Sequence, residues 1–178
     1  DVLGVDKTYL YMYGDKELDN NQISQINEKI IRYGNGEPLA YILCYKYFWN
    51  QKLKVTQDTL IPRADTEILV QTVLDDHGFD KEDSGSVSGN PLVSKELPRL
   101  ATQSTSSHGK GEYIELSILD LGTGTGAIAL ALAGEFPEAK VVAVDYSAKA
   151  LEVAKENAVN NGISNVEFEQ SDWYKNLK

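Results

Sequence analysis

The chain has 178 residues, 42 % of them hydrophobic, which is enough for one sizeable core and a small second one. Its 17 Lys and Arg against 27 Asp and Glu leave a formal charge of -10, and no basic run or stripe offers an electrostatic grip on bare nucleic acid. One cysteine, Cys44, excludes an internal disulfide framework and a multi-cysteine zinc site. No apolar run reaches the length of a membrane span, and no metal centre is expected. A cytoplasmic location is the default.

Residues 1–36 read as helical. "KTYLYMYG" is a short apolar-rich stretch, and a second helix has Asp19 or Asn20 as its cap. Ile23, Ile26, Ile30 and Ile31 follow at helical spacing, with Gly34 just past the end. Residues 37–64 begin with Pro38 in a first helical turn. Tyr45, Tyr47 and Trp49 then alternate, as do Leu53 and Val55 beyond a turn at Asn50-Gln51, which predicts a β-hairpin. After Pro62, either Asp65 or Thr66 can cap a helix whose face starts with Ile68, Leu69 and Val73. From about 77 to 112 the chain is rich in Ser, Gly and Thr ("EDSGSVSGN", "ATQSTSSHGKG") and reads as an inserted surface loop. His77 and His108 lie in or beside it and receive no catalytic or metal role.

The remainder of residues 65–178 alternates strand and helix: a buried strand in "YIELSILDLG", an Ala/Leu-rich helix, a strand in "KVVAVDYS", a helix with Leu151, Ala154 and Ala158 on one face, and a third strand in "NVEFEQSDWY". That order predicts a parallel, doubly wound α/β sheet with ligands at the carboxyl ends of its strands. Three glycines crowd the first strand-to-helix joint, where backbone freedom lets a ligand approach closely. A dinucleotide fingerprint would place its third glycine one residue later, and a phosphate loop would follow Gly126 with Lys rather than Ala127. Both phosphate readings fit badly.

Asp120 ends the first strand, where it can organise the loop and face an ammonium group. Asp145 ends the second, nineteen positions beyond Gly126, which suits an acceptor for ribose hydroxyls. Asp172 and Trp173 follow the third, placed for an adenine amino group and its ring. Singly, Asp145 would serve as a helix cap, Asp172 as a loop residue and Trp173 as a core aromatic. Together they stand at three successive strand ends, where one nucleoside-type cofactor could touch them all.

The pattern Asp120-x-Gly122-Thr123-Gly124-Thr125-Gly126 resembles the first motif of class I S-adenosylmethionine-dependent methyltransferases. "GEPLAYIL", "YFWNQKLKVTQDTLIPRADTEILV", "ILDLGTGTGAIALALA" and "SDWY" together resemble the HemK/PrmC family, the release factor glutamine methyltransferases. The resemblance implies a small helical domain (1–36), a short helix and β-hairpin linker (37–64) and a partial Rossmann-like domain (65–178). It implies methyl transfer from S-adenosylmethionine to the glutamine amide of the Gly-Gly-Gln motif in class 1 peptide chain release factors. A monomer is expected, with no direct nucleic-acid or membrane partner. Carried over, the cofactor loop is Gly122 to Gly126, the ribose carboxylate Asp145 and the adenine-side aromatic Trp173. Arg63, Asp65, Thr66 and Glu67 match the segment along the active-site mouth, although Arg63 and Glu67 could instead pair across a helix start.

The chain also departs from the family. Its catalytic Asn-Pro-Pro-Tyr motif occurs nowhere in these residues, Ala64 replaces a second proline, and Cys44 replaces a glycine. The expectation is a piece of the enzyme, shortened at the C-terminus and in the N-terminal bundle, with no catalytic residue and no activity of its own. The rival readings are an adenine N6-methyltransferase acting on RNA or DNA and a non-catalytic cofactor-binding fragment.

Overall fold

A computed structural model describes residues 2–77 and 116–175. The inserted segment therefore lies outside the described residues, apart from its first residue, His77, whose ring packs edge-on against Phe136.

The N-terminal part contains α1 (Lys7–Met12), α2 (Asn20–Gly34) and α3 (Leu39–Leu43). Asp19, not Asn20, caps α2: its carboxylate accepts the Gln22 N–H at 2.8 Å while the Gln22 side chain accepts the Asp19 N–H at 3.0 Å. Gly34 is the last helical residue, and the reversal falls at Gly36, with φ 88°. A bidentate Arg32–Glu37 pair, at 2.7 and 2.6 Å, fastens the turn that follows. The spaced isoleucines do not reach a core. Ile26 is half-buried, while Ile23, Ile30 and Ile31 are exposed, and α2 has no buried residue.

β1 (Tyr45–Phe48) and β2 (Gln51–Lys54) form the antiparallel hairpin, with Phe48 opposite Gln51. Its turn is Trp49-Asn50, one residue earlier than the alternation predicts. Trp49 takes φ 52°, a left-handed conformation that the tight turn requires at its first central position and that side chains rarely adopt. Two carboxylates hold it there: Glu67 accepts the Trp49 N–H at 3.0 Å, and Glu135 accepts the indole Nε1–H at 2.6 Å.

A 3₁₀ turn (Ala64–Thr66) leads into α4 (Glu67–Asp76). Thr66 occupies the cap position but bonds no backbone N–H through its side chain, because the preceding 3₁₀ turn already supplies helical geometry. Beyond lie β3 (Ser117–Leu121), α5 (Ala127–Glu135), β4 (Lys140–Asp145), α6 (Ala148–Asn160) and β5 (Val166–Gln170). The strands are parallel, in the order β3-β4-β5 among the described residues.

α5 is apolar all round because it is buried on two sides. Leu130, Ala131 and Leu132 join Phe48 and Leu53 of the hairpin and Val70 and Leu74 of α4. Ala129 and Ala133 pack toward Val141 and Ala143 of the sheet. Asn165 joins this layer through its side-chain NH2 group, whose two hydrogens are shared among the carbonyls of Ala133, Phe136 and Ala139. β3 differs from the buried strand expected. Among the described residues it is one of the two edge strands of this sheet, and Leu119 is 46 % exposed because no described element covers its outer side. Among the described residues, no helix is long and apolar enough to cross a membrane.

Candidate cofactor site

The carboxyl ends of β3, β4 and β5 are tied together by backbone. After Asp120 the chain turns through Gly122, Gly124 and Gly126, whose φ values are 79°, 56° and 83°. The N–H groups of Gly122 and Thr123 donate to the Val144 carbonyl at 2.8 and 2.9 Å, which stitches the loop to β4. The Ser171 N–H donates to the Asp145 carbonyl at 3.1 Å and brings in the end of β5.

The three glycines do different work. A Cβ on Gly122 or Gly124 would meet nothing within 4 Å, so these two keep space open above the loop. A Cβ on Gly126 would lie 3.0 Å from Leu130 Cδ1 and 3.3 Å from Ala154 Cβ, so this glycine lets α5 and α6 pack closely. All three also need φ values that a side chain strains.

The two strand-end carboxylates shape the loop. Asp120 Oδ2 accepts the Thr123 hydroxyl at 2.7 Å and the Ala129 N–H at 3.3 Å. Burial holds its pKa above the usual carboxylate range, against the pull of those two hydrogen bonds and with a smaller push from the charge on Asp145. Asp145 Oδ2 accepts the Gly124 N–H at 2.8 Å, and Oδ1 accepts the Ser147 N–H at 2.9 Å. The helix-cap role belongs to Ser147, whose hydroxyl accepts the Ala150 N–H at 3.2 Å. Asp145 is half-buried, and each of its oxygens retains a second lone pair for a ligand.

Asp172 is paired with Lys175 beyond β5. Trp173, with φ 56°, is 68 % exposed, so its ring is not a core aromatic. Tyr146 is also exposed next to Asp145, and its carbonyl accepts the Gln170 side chain at 3.0 Å. Sequence reasoning passed over Tyr146 and Ser147, although an acid two residues before a small hydroxyl residue at a helix start was a visible signal. Thr123 and Thr125 are buried within the loop. Arg63 and Asp65 are exposed, Thr66 donates its N–H to the Arg63 carbonyl at 3.1 Å, and Glu67 turns toward the hairpin tip at Trp49. The structure thus gathers Asp120, the glycine loop and Asp145, and commits Glu67 to the hairpin.

This arrangement leaves open space at the strand ends. Two glycines face open space beside a half-buried carboxylate, at the strand ends of an α/β sheet. The family description "Methyltransferase domain" matches residues 114–178, which defines the class: an α/β methyltransferase domain of the partial Rossmann-like kind. "PrmC N-terminal domain" matches residues 1–43.

Among curated relatives, the release factor glutamine methyltransferase of Francisella tularensis subsp. tularensis is 55 % identical over 177 residues, covering 99 % of this chain and 51 % of the relative. That of Aliivibrio fischeri is 39 % identical, covering 98 % of this chain and 49 % of the relative. That of Escherichia coli is 35 % identical, covering 99 % and 51 %. Over nearly its whole length the chain is thus similar to release factor glutamine methyltransferases of the HemK/PrmC family. It spans about half the length of the curated relatives it matches. Among solved structures, ribosomal protein L11 methylase from Lactobacillus delbrueckii subsp. bulgaricus aligns over 38 % of this chain and 34 % of its own, with 31 % identity and a TM-score of 0.33.

Proposed function

We propose that this chain carries the methyl-donor site of a release factor glutamine methyltransferase, and that the protein methylates the side-chain amide of the Gly-Gly-Gln glutamine in class 1 peptide chain release factors. One observation carries the reading: Gly122 and Gly124 leave open space directly beside the half-buried carboxylate of Asp145. A side chain at either glycine would project into that space.

When bound, S-adenosylmethionine supplies a sulfonium-activated methyl group, so the protein needs alignment and water exclusion more than acid–base chemistry. Asp145 holds Gly124 in place and offers its remaining lone pairs to the ribose hydroxyls. Asp120 fixes Thr123 and the first turn of α5, and its carboxyl would face the amino-acid part of the donor. Asp172 and Trp173 would meet the adenine, with Trp173 offering a ring face. Residues 1–36 and 37–64 form the helical and hairpin parts that meet the release factor, and 65–178 is the donor domain. The grip on the acceptor amide belongs to the family's Asn-Pro-Pro-Tyr motif, and no residue of this chain is assigned to it. Arg63, Asp65 and Thr66 lie toward the mouth.

Substrate choice must come from the helices and hairpin, because the donor pocket specifies only the donor. A docked protein supplies binding energy that aligns a weakly nucleophilic amide, which free glutamine cannot. The test is mass spectrometry after the full-length protein, Asn-Pro-Pro-Tyr segment included, is incubated with labelled S-adenosylmethionine, a release factor and total RNA. Label on the Gly-Gly-Gln glutamine is the expected result. Label on RNA with none on the factor would establish the adenine-methylating alternative.

A further inference from the structure

Asn157 lies in the third turn of α6, and its carboxamide is wholly buried. Its Oδ1 accepts the Lys54 N–H at 2.6 Å, and its Nδ2 donates to the Lys54 carbonyl at 3.0 Å. The same Nδ2 donates to the Thr125 carbonyl, in the glycine loop, at 2.9 Å. One turn later Asn161 makes the same two-way clasp on Lys52, with both bonds at 3.2 Å.

The geometry has a simple origin. The edge of β2 away from β1 would leave the N–H and C=O groups of Lys52 and Lys54 without ladder partners. Four helical residues rise about 6.0 Å and two strand residues about 6.8 Å, so carboxamides spaced i, i+4 at the end of α6 and on its C-cap can meet alternate residues of the strand. Two asparagines therefore act as a substitute strand. Only Asn157 also reaches the loop.

We propose that Asn157 is a positioning residue that couples the hairpin to the cofactor loop, so that docking of β2 on α6 fixes the carbonyl of Thr125 and with it the backbone between Gly124 and Gly126. The consequence for the methyl donor rests on the function proposed above, whereas the coupling itself does not. A carboxamide is required because one group must accept from one amide and donate to two carbonyls. Neither aspartate nor serine can do all three.

Asn161 supplies the matched control, since it grips the same strand without touching the loop. In Asn157→Ser, backbone amide exchange should quicken by roughly tenfold or more at Lys54 and also at Gly122, Thr123, Gly124 and Gly126. In Asn161→Ser, which also loses the Asn161 Nδ2 bond to the Asn157 carbonyl at 2.8 Å, it should quicken at Lys52 and at the end of α6 but not in the glycine loop. The Kd for S-adenosylmethionine, measured by calorimetry well below the melting temperature, should rise roughly tenfold in Asn157→Ser and stay unchanged in Asn161→Ser.

Faster exchange confined to the hairpin in Asn157→Ser would overturn the proposal, as would equal loop exchange in the two variants. If Asn157→Ser does not fold, the unaltered protein still decides. Under mild denaturant, the Lys54 and Gly126 amides should open as one sub-global unit with a common free energy and slope, and two separate openings would overturn the coupling. An unaltered protein that fails to bind S-adenosylmethionine would refute the function proposed above and leave the exchange result to stand by itself.

Discussion

Replacing Asp145 by alanine separates two jobs that one carboxylate does. In the free protein its oxygens accept from the N–H groups of Gly124 and Ser147 at 2.8 and 2.9 Å. Hydrogen bonds to a charged acceptor contribute about 1.5–3 kcal/mol each, and water reaches this half-buried site, so the stability loss should be about 2 kcal/mol. For a chain of this length that lowers the melting temperature by about 4–8 °C. If the remaining lone pairs hold two ribose hydroxyls, cofactor binding should weaken by about 3 kcal/mol, or about a hundredfold.

A looser loop could weaken binding by itself, so the decisive comparison uses a cofactor analogue lacking the ribose 2′-hydroxyl. The unaltered protein should prefer the ribose form by roughly tenfold, and Asp145→Ala should bind both forms alike. Calorimetry at a temperature where both proteins are fully folded makes the measurement. An undiminished ribose preference in Asp145→Ala would refute the assignment, whatever the change in overall affinity.

Asp120 gives a pH dependence. Because burial raises its folded-state pKa, the folded protein holds this proton more tightly than the unfolded chain. The stability it contributes is full below the unfolded pKa and is lost as pH rises through the raised folded value. Asp120→Asn, whose amide oxygen can still accept from Thr123 and Ala129, should therefore be more stable than the unaltered protein near neutral pH, with the advantage vanishing in acid. Melting curves across pH check this, and a less stable variant at neutral pH would contradict it. Gly124→Ala should cost about 1–2 kcal/mol of backbone strain yet abolish most cofactor affinity, whereas Gly126→Ala adds overpacking against Leu130 and Ala154, for about 2–4 kcal/mol in total. Denaturant unfolding and calorimetry on the pair should show that contrast. Glu67→Ala should cost about 1–2 kcal/mol by orphaning the strained Trp49 N–H, with cofactor affinity unchanged. A large affinity loss would return Glu67 to the active-site mouth.

Local chemistry made much of this legible in advance. Strand and helix periodicities marked α5, β4, α6 and β5, and the hairpin followed from its alternating aromatics. A strand ending at Asp120 before three close-set glycines marked a place where backbone meets ligand, and spacing excluded both phosphate motifs. These features repeat over a few residues, so sequence neighbours suffice to display them. The position of the hairpin turn escaped, because Trp49 is a poor residue for positive φ and is held there by Glu67 and by Glu135, which is 86 residues away. The isoleucines of α2 and the face of β3 also escaped, since a periodic pattern names an apolar face without saying what covers it.

What the sequence by itself determined was the alternation of elements, the loop at the end of β3 and the carboxylates at the strand ends. Only the tertiary structure decided how the glycines divide, with Gly122 and Gly124 facing open space and Gly126 pressed between two helices. It also decided that Asn157, which reads in the sequence as one more polar residue of a surface helix, is buried and joins a strand 103 residues away to a loop 32 residues away. The physical reason is that hydrogen-bonding groups are satisfied by whatever the packed chain brings near them, and sequence spacing carries no record of that proximity.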